Sequence, residues 1–242
     1  MKTKKTGRRE FLQRAIVMAG AAPLVGTASL AAASPAAPAA STPAESPETR
    51  GYQSFSPEEA AFVETMVEIM CPADHLTAGG VDCGLALFID RQLAGAYGKG
   101  DRLYQRGPWK TGKPQLGYQL PLTPEDYFKL GLAAANHACQ QKHGKAFADL
   151  PATDGDAFLT LLGDGKITDP RVVLADWFND LVYPLFVQAC YADPMYGGNK
   201  DKTFWKMIGY PGLPAVYGLD IVAFRGKPHP ASANPKSIAD FS

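Results

Sequence analysis

The sequence predicts an all-α protein, an irregular bundle of about five helices with long Pro/Gly-rich loops and an extended C-terminal tail. Two segments begin with a hydroxyl residue followed by proline, at Ser56 and at Thr123, which is typical of helix starts. Apolar residues then recur at helical spacing. No segment alternates β-branched and polar residues over a strand's length. The folded part, from about Phe55, has roughly 180 residues, which is enough for one domain with its own core.

The first helix has clear signals at both ends. Ser56 is expected to be its N-cap, Pro57 its first residue, and Glu59 the partner in a capping box. The pair Cys71-Pro72 is expected to end it, because proline disfavours helical conformation at the preceding residue. Apolar residues on one face predict that this helix packs into the core.

The second helix is predicted from an apolar stripe that follows a Gly-rich loop. Asp82 is expected to cap its start, and Gly98 is expected to end it. Asp90 and Arg91 fall opposite the apolar stripe, so they are expected to form a solvated pair of little energetic weight.

Three further helices complete the predicted bundle. The third runs to Gly144, and the fourth covers residues 152–162. The fifth opens at residues 168–170 and is apolar over the widest arc, which places it at the centre of the core. Pro184 is expected to kink it, because proline removes a backbone hydrogen bond.

The N-terminus, residues 1–33, has the three parts of an export signal. A basic head precedes an uncharged Ala/Gly-rich stretch that ends in small residues. The twin arginine Arg8-Arg9, followed by Phe11 and Leu12, predicts a Tat signal and therefore recognition by the Tat translocase. The alternative is a transmembrane anchor, which Pro23 and the Ala/Gly content disfavour.

Composition divides the rest of the chain into three parts. Residues 34–54 are rich in Ala, Pro, Ser and Thr, which predicts a disordered spacer. Residues 55–215 form the predicted domain, and residues 216–242 form the tail. Removal of residues 1–33 takes away six basic residues and one acidic residue, leaving 18 basic and 23 acidic residues and a net charge of −5. Nucleic acid is therefore not expected as a partner.

The chain has four cysteines. Cys71 and Cys83 flank a short Pro/Gly-rich loop and are the candidate disulfide after export. Two alternatives stay open: all four are small buried apolar residues, or Cys190 pairs with a cysteine of a partner.

Residues 193–212 follow the most apolar helix and are dense in glycine, proline and aromatics. They hold no plausible nucleophile, base or metal cluster, so they are interpreted as a surface shaped for a partner protein. The alternative is a tight turn that caps the helix, with Trp205 in the core. The candidate interface residues here are Asp193, Tyr196, Gly197, Gly198, Asn199, Trp205, Gly209 and Tyr210.

A second candidate contact is the irregular segment of residues 98–122. It interleaves aromatic residues, Trp109 among them, with basic residues, a composition typical of protein interfaces. Packing against its own domain is the alternative, and binding of single-stranded nucleic acid is disfavoured by the export signal.

No catalytic, cofactor-binding or metal-binding residue is assigned from the sequence. The chain lacks a dinucleotide fingerprint, a haem-attachment motif, a nucleophile elbow and a zinc-protease motif. His137 and His143 fall on different faces of a helix, which disfavours a zinc site. Two other functions stay open: a free-standing exported binding or scaffold protein, and an exported enzyme using Asp74, His75, Asp193 and Tyr196.

The run D-P-M-Y-G-G-N at residues 193–199, followed by F-W-K-M-I-G-Y-P-G at residues 204–212, resembles the gluconate 2-dehydrogenase subunit 3 family. Residues 71–74 and 85–93 are similar to the N-terminal half of that family. The resemblance covers about residues 55–215, and the Y-G-G-N, W and G-Y-P-G portions are its specific part. The segment of residues 98–122 is not matched to the family, so its contact role rests on composition.

The resemblance implies a small periplasmic subunit without cofactors of its own. Its partners would be an FAD-containing large subunit, which oxidises gluconate or a related sugar acid or polyol, and a multihaem cytochrome c subunit. The complex would lie at the outer face of the cytoplasmic membrane. The Tat signal of the small subunit would carry the folded flavoprotein across that membrane.

Overall fold

A computed structural model describes residues 51–110, 112–113, 116–214 and 216–241. The export signal with Arg8, Arg9, Phe11 and Leu12, and the spacer up to residue 50, lie outside the described residues. Seven helices and several short 3-10 turns make up the described chain, in which no strand occurs, and the all-α prediction is confirmed. The helices are α1 (Pro57–Met70), α2 (Leu85–Ala94), α3 (Pro124–His143), α4 (Ala152–Gly163), α5 (Leu174–Trp177, Phe178–Val182 and Tyr183–Tyr191 in succession), α6 (Thr203–Ile208) and α7 (Gly218–Ala223).

Helices α1 and α3 begin as the sequence predicts. The Ser56 hydroxyl accepts a hydrogen bond from the Glu59 amide, and the Glu59 carboxylate accepts one from the Ser56 amide. Thr123 and Asp126 form the same reciprocal box at α3, which ends at Gly144. Each box satisfies amide groups that have no partner within the helix.

Helix α2 departs from its predicted ends. It begins at Leu85 without a side-chain cap, so the expected capping role of Asp82 is wrong. Its last residue is Ala94 and its C-cap is Gly95, so the predicted end at Gly98 is also wrong. Gly84 precedes it with a φ of 76°, and a Cβ atom there would collide with the carbonyl oxygen of Gly197. The loop that contains Gly197 approaches the start of α2 so closely that glycine is needed at position 84.

The expected solvated position of Asp90 is also wrong. Asp90 is fully buried, and its carboxylate accepts hydrogen bonds from the amides of Gln53, Ser54 and Phe55 at 2.8, 2.8 and 3.0 Å. Three amide donors compensate for the loss of hydration that burial of a carboxylate entails. Asp90 therefore fixes the segment by which the chain enters the bundle, including residues 51–54 at the end of the predicted spacer.

A second polar cluster holds the same entry segment against α3. The Lys129 ammonium group donates to the Ser54 carbonyl at 2.7 Å, and the Ser54 hydroxyl donates to Glu125 at 2.7 Å. Glu125 also pairs with Lys99 and Lys129. Burial of Glu125 opposes its ionisation, but the hydrogen bonds from Lys99, Ser54 and Lys129 outweigh this effect and lower its pKa to about 2.

Helix α5 lies at the centre of the core, as predicted, but it starts at Leu174 rather than at residues 168–170. Asp169 instead pairs with Arg171 at 2.8 Å, which lowers the pKa of its carboxyl. The Trp177 indole donates to the Phe128 carbonyl of α3 at 3.1 Å and packs where a Cβ at Gly131 would collide with it. The absence of a side chain at Gly131 therefore allows α3 to pack closely against this ring.

The backbone of α5 changes hydrogen-bond pattern immediately before Pro184. The stretch Phe178–Val182 is π-helical, and α-helical geometry resumes at Tyr183. Proline at position 184 cannot donate to the carbonyl four residues earlier and crowds it, and a widened turn accommodates both effects. This is the local form that the predicted kink takes.

The chain after Gly212 returns to the bundle. It contains α7 and two 3-10 turns, Pro230–Ala233 and Ile238–Phe241. The amide of Ile238 donates to Asp193 at 2.8 Å, which ties the last turn to the end of α5. Within the described residues, no helix is long and apolar enough to cross a bilayer.

Asp90→Ala should destabilise the domain by roughly 2–4 kcal/mol, because three amides lose their acceptor and part of this site is closed to water. Urea unfolding followed by circular dichroism measures the effect. Asp101→Ala, at an exposed aspartate, is the matched control and should change stability by less than about 0.5 kcal/mol. Equal stability of the two variants would show that the entry segment is held by other contacts.

Candidate partner-binding face

The candidate face begins where α5 ends. Asp193 caps the 3-10 turn Pro194–Tyr196: one carboxylate oxygen accepts from the Met195 amide at 3.0 Å, and the other accepts from Ile238. Asp193 thus has both oxygens engaged in fixing backbone. The Asp193 carboxylate therefore fixes the conformation of the turn, and neither of its oxygens is left free for chemistry or for a partner.

Gly197 and Gly198 pack closely against two neighbouring helices. The carbonyl of Gly197 lies against Gly84, and a Cβ atom at Gly198 would collide with the carbonyl oxygen of Ala189 in α5. The two glycines therefore allow backbone to approach backbone within this chain. Gly197 and Gly198 were predicted interface residues, and the close approach that they allow occurs inside the fold.

Asn199 is fully buried and holds the loop together. Its amide nitrogen donates to the Ala192 carbonyl at 3.0 Å, and its amide oxygen accepts from the Phe204 amide at 3.0 Å. It has a φ of 48°, in the left-handed region that asparagine tolerates better than most residues. Asn199 therefore links the end of α5 to the start of α6.

Trp205 is a core residue of this chain. It is 5% exposed, and its indole donates to the Tyr191 carbonyl at 2.8 Å. Tyr210 packs edge-on against it with ring centroids 5.0 Å apart, after Gly209 has ended α6. The alternative that placed Trp205 in the core describes its position in the structure.

The predicted interface residues therefore divide into two groups. Gly198, Asn199 and Trp205 are buried and give the loop its shape, while Tyr196 is 47% exposed and faces outward. Trp109 is half-buried on the separate loop of residues 98–122. In that loop Tyr118 packs on Tyr127 with ring centroids 4.3 Å apart, and burial raises the pKa of Tyr118 to about 12.

A groove of about 440 Å³ with mostly apolar walls lies beside Tyr196. Helix α2 contributes Phe88 to it, and α5 contributes Val187 and Tyr191. Met195, the residue before Tyr196, is 42% exposed. Sequence reasoning missed Val187 and Tyr191 because both lie on the helix assigned to the core. The sequence feature that indicates these two residues is the apolar arc of α5, which is wider than one buried face needs.

All four cysteines are free thiols in the structure. The Cys83 thiol donates to the Ala78 carbonyl at 3.4 Å, and burial raises the pKa of Cys83 to about 11. Burial likewise raises the pKa of Cys190 to about 12, with smaller contributions from Cys71 and Cys83, so these three thiols share one region. The Cys71–Cys83 disulfide is not formed here, and it stays a prediction for the oxidised protein.

The groups that could suggest chemistry have structural roles. Asp74 accepts from the amides of Leu76 and Thr77, and these bonds lower the pKa of its carboxyl. His137 lies 3.4 Å from Asp169, which is already bound to Arg171. Among the described residues, no cluster of His, Cys, Asp and Glu side chains could hold a metal ion.

The described residues form an all-α protein with an apolar groove at the end of α5. The family model described as gluconate 2-dehydrogenase subunit 3 matches residues 57–212, and the chain belongs to that family. The matched range ends at Gly212, at the end of the G-Y-P-G run. Neither the curated proteins nor the solved structures contain a match to the chain.

Asn199→Ala should lower the free energy of unfolding by roughly 2–3 kcal/mol, because a buried amide and carbonyl lose their partners and alanine disfavours positive φ. Asn199→Gly separates the two causes, since glycine accepts the φ but cannot make the bonds, and it should recover about 1 kcal/mol. Thermal or urea unfolding gives the comparison, with Lys206→Ala at an exposed position of α6 as control. Full stability of Asn199→Ala would contradict the linking role.

Proposed function

We propose that this chain is the non-catalytic small subunit of a periplasmic flavoprotein dehydrogenase complex of the gluconate 2-dehydrogenase type. It binds an FAD-containing catalytic subunit through the groove beside Tyr196 and supplies the Tat signal for export of both chains. Assembly and stability of the catalytic subunit depend on this contact. A multihaem cytochrome c subunit receives the electrons.

The observation that carries this proposal is the groove at the end of α5, in a chain that belongs to a family of dehydrogenase subunits. Tyr191 and Tyr196 line the groove and are 44% and 47% exposed, and the neighbouring Met195 is 42% exposed. Tyrosine and methionine are enriched at protein interfaces, where they bury large areas. Asn199 and Asp193 hold the backbone beneath these side chains, so little ordering is needed on binding.

The export role is supported by the twin-arginine sequence at the N-terminus. The Tat pathway carries folded cargo, so a groove that exists only in the folded subunit can be occupied before export. FAD would be bound by the partner chain. This chain's own part is to recognise the folded, loaded partner and to bring it to the translocase.

Tyr196→Glu should reduce recovery of the catalytic subunit with a tagged copy of this chain by at least about tenfold, because a charge enters the apolar contact. Quantification of the co-purified flavoprotein, by flavin absorbance and by immunoblot, measures the loss. Leu76→Glu places the same charge at a residue that is 60% exposed on another loop, and it should leave recovery unchanged. If both variants recover the partner equally, the groove is not the interface.

Arg8→Lys combined with Arg9→Lys should leave the dehydrogenase activity in the cytoplasm, because the translocase reads the twin arginine. Activity with an artificial electron acceptor is compared between periplasmic and cytoplasmic fractions. Lys4→Arg with Lys5→Arg keeps the basic head and serves as control. Normal periplasmic activity of the twin-lysine variant would contradict the escort role.

Assay of the purified chain alone separates the remaining functions. The proposal expects no oxidation of sugar acids without the flavoprotein. Oxidation by this chain alone would identify an autonomous enzyme. A stable, soluble chain that captures no flavoprotein would identify a free-standing binding or scaffold protein.

A further inference from the structure

The segment of residues 216–236, here called the arm, follows the part of the chain that the family model matches. It is pinned at its base, where the Leu213 amide donates to the Lys236 carbonyl at 2.7 Å beside a parallel bridge between Gly212 and Lys236. Close to the C-terminal end of the arm, the Ser232 hydroxyl donates to the Gly209 carbonyl at 2.7 Å. The arm is therefore a closed loop held at two points of the bundle.

Aromatic side chains form the inner contacts of the arm. The ring of His229 lies 5.4 Å from that of Tyr217 and 4.9 Å from that of Phe224, edge-on in both cases. His229 also lies 3.4 Å from the carboxylate of Asp220, and the Tyr217 hydroxyl donates to the Gly212 carbonyl. These contacts give the arm its own small interior, which fixes the direction of its remaining side chains.

The aliphatic side chains of the arm point away from that interior. Leu219 is 89% exposed, Val222 78% and Ile221 68%, all on α7, and Val216 before the helix is 83% exposed. Exposed aliphatic residues that lie close together are typical of a binding surface. Leu219 and Val222 are three residues apart and lie on one side of the helix, whereas Ile221 projects from the other side.

The charge of the arm is opposite to that of the protein without its signal. The arm has three basic residues, Arg225, Lys227 and Lys236, and one acidic residue, Asp220, a net charge of +2, whereas residues 34–242 have a net charge of −5. Arg225 and Lys227 follow α7 directly and are exposed. In the described chain, neither side chain forms an ion pair. The arm therefore presents aliphatic residues next to unpaired positive charge.

We propose that the arm binds the surface of an anionic phospholipid bilayer, with Leu219 and Val222 inserted among the lipids. Arg225 and Lys227 then contact the phosphate headgroups. Burial of apolar side chains at the bilayer interface and attraction of adjacent basic residues to negative lipid charge both favour such binding. Six residues are too few to span the bilayer, so the arm attaches the protein without crossing the membrane. The contact is separate from the groove beside Tyr196.

Co-sedimentation with lipid vesicles tests this proposal on the chain recovered from the periplasm. The wild-type chain should bind vesicles of phosphatidylglycerol and phosphatidylethanolamine, and bind poorly to vesicles of phosphatidylcholine alone. Leu219→Asp with Val222→Asp should lower the partition coefficient at least tenfold. Arg225→Gln with Lys227→Gln should weaken binding and remove most of its salt dependence. Leu76→Asp is the control and should bind like wild type.

Folding and partner capture are measured for the same variants. The substituted side chains are exposed, so circular dichroism and urea unfolding should match the wild type. Vesicle binding that is equal for the wild type and the Leu219/Val222 variant, or absent from both, overturns the proposal. Loss of flavoprotein capture by that variant, without lipid binding by the wild type, would identify the arm as a protein contact instead. Tyr196→Glu should keep lipid binding, which separates failure of this proposal from failure of the proposed function.

Discussion

The buried amide of Asn199 is the constraint on which the candidate face depends. Its two hydrogen bonds, to the carbonyl of Ala192 and from the amide of Phe204, join the last turn of α5 to the first turn of α6. Without them the loop between these helices would have a buried donor and a buried acceptor to satisfy elsewhere. With them, the loop turns sharply enough to bring Gly197 against Gly84, which in turn sets the start of α2. Asn199 thereby helps to hold α2, α5 and α6 together, and it fixes the loop from which the exposed Tyr196 projects.

A comparable arrangement holds the other end of the domain. Asp90 accepts three backbone amides of the entry segment, and the cluster of Ser54, Glu125 and Lys129 holds the same segment against α3. The Asp90 carboxylate and the cluster around Glu125 and Lys129 both use charged side chains to fix irregular backbone, whose polar groups have no partner within a helix or strand. A bundle with long loops needs such anchors, because its loops would otherwise keep much of their conformational entropy. Polar side chains that are buried or partly buried thus hold the irregular backbone of this bundle in place.

The two outward surfaces differ in chemistry, and so do the partners they suit. The groove of Val187, Tyr191 and Tyr196 is concave, aromatic and held on helices, which favours a folded protein with a complementary projection. The arm exposes aliphatic and basic side chains, which favours an anionic lipid surface. In the proposed complex, a subunit with both contacts would hold its catalytic partner close to the membrane. The separation of the two contacts along the chain allows each to change without disturbing the other.

The sequence by itself determined the helical fold, the capping boxes of α1 and α3, the central helix and the family, because these depend on local patterns and on a specific run of residues. It could not place Asp90 inside, since helical periodicity marks that position as solvent-facing until the entry segment covers it. It also could not separate core from surface within residues 193–212, where glycine, asparagine and aromatic residues suit a tight internal turn and an interface equally well. Only tertiary structure decided that Asn199 and Trp205 face inward while Tyr196 faces outward. The physical reason is that burial there results from contacts between segments distant in sequence, which no local pattern encodes.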